Sequence, residues 1–271
     1  MTLVDIRPHL REWAMPHVLC AGCAHGIVGR AFLVAVDRAG IDPDQMVVVA
    51  GIGCSSRLVG YLDFCTLHAT HGRAPTFATG IKLARPELTV AVFSGDGDGL
   101  AIGGNHLIHA ARRNIDLTVV LFNNEIYGMT GGQVAPTTQR GAVASTTPRG
   151  NTEPAFDSVK LMVGAGASFV ARASASEPFT LERIFAEALT HRGFAFVEVL
   201  SNCPTYFGRY NRLGDGPEML VWLTRQDSRV ADPLAAKRVV SHLPVPEPPP
   251  GLELGILHRE ERPVFDGRTP G

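Results

Sequence analysis

An α/β fold with a doubly wound, mostly parallel sheet is what this sequence predicts. Three observations carry that expectation. The apolar runs Met46 to Ala50, Leu88 to Ser94 and Leu117 to Phe122 are short and unbroken, the pattern of strands buried on both faces. Helix-like stretches, Thr76 to Arg85 and Leu100 to Arg113, separate them, so strand and helix alternate. A glycine or asparagine segment follows each run, at the strand ends where parallel sheets place their ligands.

The elements can be justified in order. Residues 1–19 read as a lead-in. Apolar residues at Ile27, Ala31, Val34 and Ala35 fit a helix that Gly40 ends. Met46 to Ala50 runs into Gly51-Ile52-Gly53-Cys54-Ser55-Ser56, and Pro86 stops the next helix. A loop rich in Gly, Thr and Pro covers 125–156. Strand-like Ser168 to Ala171, helix-like Pro178 to His191 and strand-like Phe194 to Leu200 complete the alternation. The composition then shifts, and Leu243 to Gly251 reads LPVPEPPPG. Such a segment cannot build a core. We therefore expect one domain over 1–225 and an extended, partner-contacting tail over 226–271.

With 271 residues the chain can bury a substantial core. A net charge of -1 excludes bulk attraction to nucleic acid or to an anionic membrane. No stretch reaches the roughly 18 apolar residues that span a bilayer, and Met1 to Trp13 lacks the apolar core of a signal peptide. These features point to the cytoplasm. An odd number of cysteines there (Cys20, Cys23, Cys54, Cys65 and Cys203) favours metal or cluster binding over disulfides.

Gly95-Asp96-Gly97 closes one predicted strand. Asp96 is a hard oxygen donor suited to magnesium. The two glycines let the backbone turn and approach a phosphate, and the helix that follows offers its N-terminus to anionic oxygens. Asn123-Asn124 closes the next strand. Adjacent strand ends lie about 5 Å apart, and the 25 residues of 98–122 suffice for one right-handed crossover. Asp96, Asn124 and the main chain of Ile126 can then share one ion with two diphosphate oxygens and water. Either piece alone would be an ordinary turn or loop; their placement at successive strand ends carries the reading. GDG followed by NN at this distance resembles the thiamine diphosphate motif, which makes Asp96, Asn124 and Ile126 the metal ligands.

Cys20-Ala21-Gly22-Cys23 needs two more thiolates to complete a tetrahedral site. Cys54, in a glycine loop at a strand end, and Cys203, after the last predicted strand, supply them. Cys65 lacks such a setting and reads as an ordinary buried thiol. The four can hold a [4Fe–4S] cluster; zinc is the alternative that the spacing leaves open. A cluster suits the face shared with the diphosphate site, where an electron carrier has a purpose.

Together the segments CAGCAHGIVGRAF, GIGCSSRLVGYLDF, HATHGRAPTFATGIKLARPEL, FSGDGDGLAIGGNHLIHAARRNIDLTVVLFNNEIYGMTGGQVAPTT and SNCPTYFGR resemble the β subunit of the 2-oxoacid:ferredoxin oxidoreductases, over residues 18–210. The runs IGGNHLIHAARRNIDLTVVLFNN and YGMTGGQ, with GCSSR and YLDF, are most similar to the 2-oxoglutarate:ferredoxin (2-oxoglutarate synthase) type. The resemblance implies a thiamine diphosphate-binding fold. It also implies CoA-dependent oxidative decarboxylation of 2-oxoglutarate to succinyl-CoA, or the reverse reductive carboxylation used by a reductive tricarboxylic acid cycle. The implied cofactors are thiamine diphosphate, Mg2+ and a [4Fe–4S] cluster. An α or fused α–γ subunit would supply the activating Glu, ferredoxin would take the electrons, and the assembly would be (αβ)2. Another 2-oxoacid such as pyruvate, a non-redox decarboxylase or carboligase with zinc at the cysteines, and a non-catalytic scaffold subunit are the competing readings.

Further residues have expected roles. Arg57 suits a distal carboxylate of the substrate, which Arg binds bidentately. His71 suits a hydrogen bond to substrate or cofactor. Ser55 and Ser56 suit contact with cofactor or cluster loop, Thr130 suits donation to the diphosphate, and Met129 suits packing on the thiazolium. Glu125 is expected to face solvent or a positive loop, without a catalytic role.

Overall fold

Val47 and Val49 face one side of the sheet, and Met46, Val48 and Ala50 face the other; both sides are buried. The next two strands divide in the same way, Val90 and Val92 against Ala91 and Phe93, then Val119 and Leu121 against Val120 and Phe122. Two covered faces explain the absence of polar alternation along these strands.

The computed structural model of the protein describes residues 4–224 and 252–267. Its strands are β1 (Met46–Ala50), β2 (Cys65–His68), β3 (Thr89–Gly95), β4 (Leu117–Asn123), β5 (Ile126–Tyr127), β6 (Gln133–Val134), β7 (Phe169–Ser174), β8 (Phe194–Leu200) and β9 (Gly255–Arg259). Seven form one sheet in the order β2-β1-β3-β4-β8-β7-β9, and β5 and β6 make a separate short hairpin. Every pairing in the large sheet is parallel except β7 with β9. The helices are α1 (His25–Arg38), α2 (Cys54–Arg57), α3 (Ala74–Ala84), α4 (Gly104–Arg112), α5 (Ser158–Gly164), α6 (Pro178–Thr190), α7 (Arg209–Asn211) and α8 (Gly216–Thr224). Helices α1 and α6 cover one face, with Phe32 set edge-on to Phe93 at 4.8 Å and to Phe185 at 5.8 Å. Helices α3, α4 and α5 cover the other. No helix among the described residues is long and apolar enough to cross a membrane.

The chain passes from β1 out to β2 and back across to β3, so the strand order reverses beside β1. Ligand crevices of open α/β sheets form at such a switch, outside the carboxyl ends of the strands. The segments after β1, β3 and β4 meet there.

The structure differs from the sequence expectation in four places. The helix expected over Leu100 to Arg113 is preceded by a widened π-helical turn, Gly97–Ile102, and α4 proper begins at Gly104. Gly103 N–H donates to Asp98 carbonyl oxygen at 3.1 Å, five residues back. Such wide turns recur at functional sites. Strand β2 was not legible because it is short, lies at the sheet edge and is half-exposed. It carries Cys65, which is exposed rather than buried. The region 125–156 holds the β5–β6 hairpin within its loop, and Ile126 packs with Phe207, Met219, Trp222 and Leu254 in a third apolar cluster. Finally, the proline-rich run lies outside the described residues, but residues after it return to the chain's own sheet as β9.

Candidate active site

Asp96 directly follows β3, with its side chain buried at 3% exposure. Its carboxylate accepts from Gly97 N–H at 2.8 Å and from the Thr137 hydroxyl at 2.6 Å. Burial nevertheless raises its pKa to about 6, against the lowering effect of those bonds. A nearby cation would restore the ionised form. Asp96 lines a cavity of about 460 Å³ together with Gly95, Gly97, Asn124, Ile126 and Tyr127. The donor set is one carboxylate, one amide and a main-chain segment. It suits a hard, partly hydrated ion bridged to a diphosphate better than an all-protein cage. Consistent with that, no three His, Cys, Asp or Glu side chains among the described residues converge on a single-ion site. The residues therefore fit magnesium and thiamine diphosphate.

Each ligand has a neighbour that anchors it. Two positions after Asp96, the Asp98 carboxylate accepts from Gly72 N–H at 2.7 Å, Ile52 N–H at 3.1 Å and the Ser94 hydroxyl at 2.5 Å. It thereby ties the loops after β1 and β2 to the loop after β3. Gly51 is required for this approach, since a Cβ there would collide with the Asp98 carboxylate. Asn123 plays the same part beside Asn124. Its amide donates to Glu198 Oε1 at 2.8 Å, and its Oδ1 accepts from Glu125 N–H at 3.2 Å. Glu198 is buried and paired with Arg172 at 2.5 Å, and Arg172 reaches Asp157 at 3.2 Å. Glu125 is buried too, accepting from the Gln139 amide at 2.9 Å, which corrects the expectation that it faces solvent. Its positive φ of 60° turns the chain sharply after the asparagine pair.

The cysteines lie on the other side of one wall. Cys20, Cys23, Cys54 and Cys203 line a smaller cavity of about 70 Å³. Gly128 stands between two of the sulfurs: a Cβ there would lie 3.4 Å from Cys203 Sγ and 3.5 Å from Cys54 Sγ. Burial pushes the Cys23 thiol up to about 12 and the Cys54 thiol up to about 11, and charge on neighbouring cysteines adds to both shifts. Asn202 holds the Cys20–Cys23 turn. Its Oδ1 accepts from Ala24 N–H at 2.8 Å, and its amide donates to Gly22 and Gly216 carbonyl oxygens at 3.1 and 3.3 Å. Five residues border both cavities: His25, Cys54, Asn124, Gly128 and Met129.

The remaining expected residues divide between these places. Ser55, His71, Met129 and Thr130 line the larger cavity. Ser55 and Ser56 are buried with unpartnered hydroxyls, but Ser56 borders neither cavity. His71 Nδ1 stands 2.7 Å from Asp98 Oδ1, too poorly aligned for a hydrogen bond. The Thr130 hydroxyl donates to Gln133 Oε1 at 2.6 Å and so is engaged within its own loop. Arg57 is exposed and borders the cysteine cavity rather than the larger one. Sequence reasoning missed Asp98, Asn202, Glu198 and His25. Of these, Asp98 and His25 left a signal, standing two residues beyond Asp96 and Cys23.

Comparison with known proteins decides the family. The profile described as "Thiamine pyrophosphate enzyme, C-terminal TPP binding domain" matches residues 23–199. A protein of Archaeoglobus fulgidus named 2-oxoglutarate synthase subunit KorB is 59% identical over 198 residues, 73% of this chain and 74% of the relative. This chain belongs to the β-subunit family of the 2-oxoacid:ferredoxin oxidoreductases, among the 2-oxoglutarate synthase subunits. The KorB subunit of Methanothermobacter thermautotrophicus is 53% identical over 212 residues, 78% of this chain and 74% of the relative. A solved 2-oxoglutarate:ferredoxin oxidoreductase from Magnetococcus marinus, with 2-oxoglutarate, coenzyme A and succinyl-CoA bound, superposes with a TM-score of 0.79 at 32% identity. That match covers 98% of this chain and 88% of the other. The expected α/β fold and the expected β-subunit family both hold.

Proposed function

We propose that this β subunit works in the cytoplasm as half of the catalytic centre of a 2-oxoglutarate:ferredoxin oxidoreductase, in an (αβ)2 complex. The reading assigns magnesium to Asp96, Asn124 and the Ile126 main chain, and a [4Fe–4S] cluster to Cys20, Cys23, Cys54 and Cys203. The observation that carries it is the single wall of His25, Cys54, Asn124, Gly128 and Met129 between the diphosphate cavity and the cysteine cavity. Thiamine diphosphate held here would supply the electron sink for decarboxylating a 2-oxoacid, and a cluster held by the four cysteines would supply one-electron acceptance.

This chain's residues then have distinct tasks. Asp96 and Asn124 fix the metal and, through it, the diphosphate. The Asp98 anchor keeps the Asp96 loop in place while the cofactor enters and leaves. Met129, half-exposed in the shared wall, is the side chain that would contact the thiazolium. His71 borders the same cavity, within reach of substrate. Arg57 has no ion-pair partner among the described residues, which leaves its guanidinium available for the distal carboxylate of 2-oxoglutarate. The carboxylate that activates the aminopyrimidine is assigned to the α subunit, and ferredoxin is the electron acceptor.

The four thiols border one cavity, which shares a wall with the diphosphate cavity. An electron carrier has a purpose there that a structural zinc lacks, and this supports the cluster reading. The test is the complex co-purified anaerobically with its α subunit. It should be brown, contain iron and sulfide, and reduce a dye only when both 2-oxoglutarate and CoA are present. A colourless complex holding stoichiometric zinc would overturn the oxidoreductase reading.

A further inference from the structure

His25 stands in the wall between the diphosphate cavity and the cysteine cavity. It opens α1 two residues after Cys23, and 1% of it is exposed. Neither ring nitrogen has a hydrogen-bond partner. Buried imidazoles in native proteins are usually satisfied, and one with two idle nitrogens calls for an explanation. The ring is held by packing instead, edge-on to Phe122 with centroids 5.1 Å apart. It borders both the diphosphate cavity and the cysteine cavity.

His25 follows the Cys20–Cys23 turn by two residues, so its main chain is tied to the cysteine side while its ring stays buried in the shared wall. On the diphosphate side Asp98 accepts from three neighbours, Asn123 bonds Glu198 and Thr130 bonds Gln133, while the Ser55 hydroxyl is left without a partner. On the cysteine side the four thiols Cys20, Cys23, Cys54 and Cys203 border the same cavity as the ring.

We propose that His25 is a positioning residue of the electron-transfer path, its idle ring N–H being the donor to a sulfide of the cluster that the cysteine cavity would hold, and thereby raising the reduction potential of that cluster. This rests on the cluster reading above. Hydrogen bonds to cluster sulfurs stabilise the more negative, reduced state. A neutral imidazole has one N–H to give and one nitrogen that accepts.

The test uses the anaerobic αβ complex with His25→Phe and His25→Gln. Phe keeps a flat apolar filler and removes the donor; Gln keeps an N–H at similar reach. The midpoint potential of the cluster is read by EPR-monitored redox titration, with iron content and the KM for 2-oxoglutarate measured on the same samples. His25→Phe should lower the potential, shifting the electron equilibrium about tenfold, which for one electron is about 59 mV. His25→Gln should recover at least half of that shift. Unchanged potentials in both variants, at full iron content, would overturn the proposal. So would an unchanged potential with a raised KM, which would assign the ring to substrate. If His25→Phe does not fold, His25→Gln and His25→Met decide the same question, Met lacking the donor. A wild-type complex that carries no iron removes the cluster reading itself, and is distinguished from failure of the His25 role by the iron assay alone.

Discussion

The two sides of the shared wall are built differently. On the diphosphate side, each ligand stands beside an anchor whose hydrogen bonds are satisfied inside the protein: Asp98 beside Asp96, and Asn123, through Glu198 and Arg172, beside Asn124. On the cysteine side a single buried amide, Asn202, holds the Cys20–Cys23 turn, and burial opposes ionisation of Cys23, Cys54 and Cys203. The diphosphate side is preorganised by the chain itself. The cysteine side gathers thiols whose thiolate form needs a cationic centre among them. Ligand binding should therefore cost little reorganisation on the first side and contribute folding energy on the second.

This contrast can be broken or sharpened by substitution. The largest expected effect is at an anchor. Asp98→Ala takes the acceptor from the buried Gly72 N–H and Ser94 hydroxyl and should cost about 4 kcal/mol of stability, read by urea unfolding of the complex. Asp96→Asn separates ligand from anchor. Cofactor affinity should fall at least about 100-fold, roughly 2.7 kcal/mol, by titration with thiamine diphosphate and magnesium. The apo stability should be unchanged or higher, because burial disfavours the Asp96 charge. Equal stability losses at Asp96 and Asp98 would erase the proposed division. Asn202→Ala should cost about 2 kcal/mol, and the loss should be greater after iron is chelated than before. The smallest effect is expected at Arg57. Arg57→Ala should reduce preference for 2-oxoglutarate over pyruvate about tenfold in kcat/KM, about 1.4 kcal/mol; equal losses on both substrates would remove its assigned role.

The ligands were legible in the sequence and their anchors were not. Gly95-Asp96-Gly97 and Asn123-Asn124 announce themselves because residue types with special backbone freedom and oxygen donors recur at successive strand ends. The unbroken runs of β1, β3 and β4 likewise reflect burial on both faces, which any strand between two helical layers must show. Asp98 is an acid like any other until its partners are known, and those partners lie 26 and 46 residues away. Asn202 reaches back 178 residues to Ala24. Glu125 was misread because charge favours solvent on average, whereas here its Oε1 accepts from the Gln139 amide inside. Strand β9 follows a proline-rich segment, and nothing local marks it as the partner of β7. The wide turn at Gly97–Ile102 has the composition of a helix start; its register follows from where Asp98 is pinned.

The most direct test of the shared wall is EPR of the anaerobic αβ complex before and after 2-oxoglutarate and CoA are added together. The oxidised cluster should be silent and give a reduced [4Fe–4S] signal on substrate addition, lost in Cys54→Ser. Release of carbon dioxide from 2-oxoglutarate with no reduced-cluster signal, in a complex retaining full iron, would contradict it.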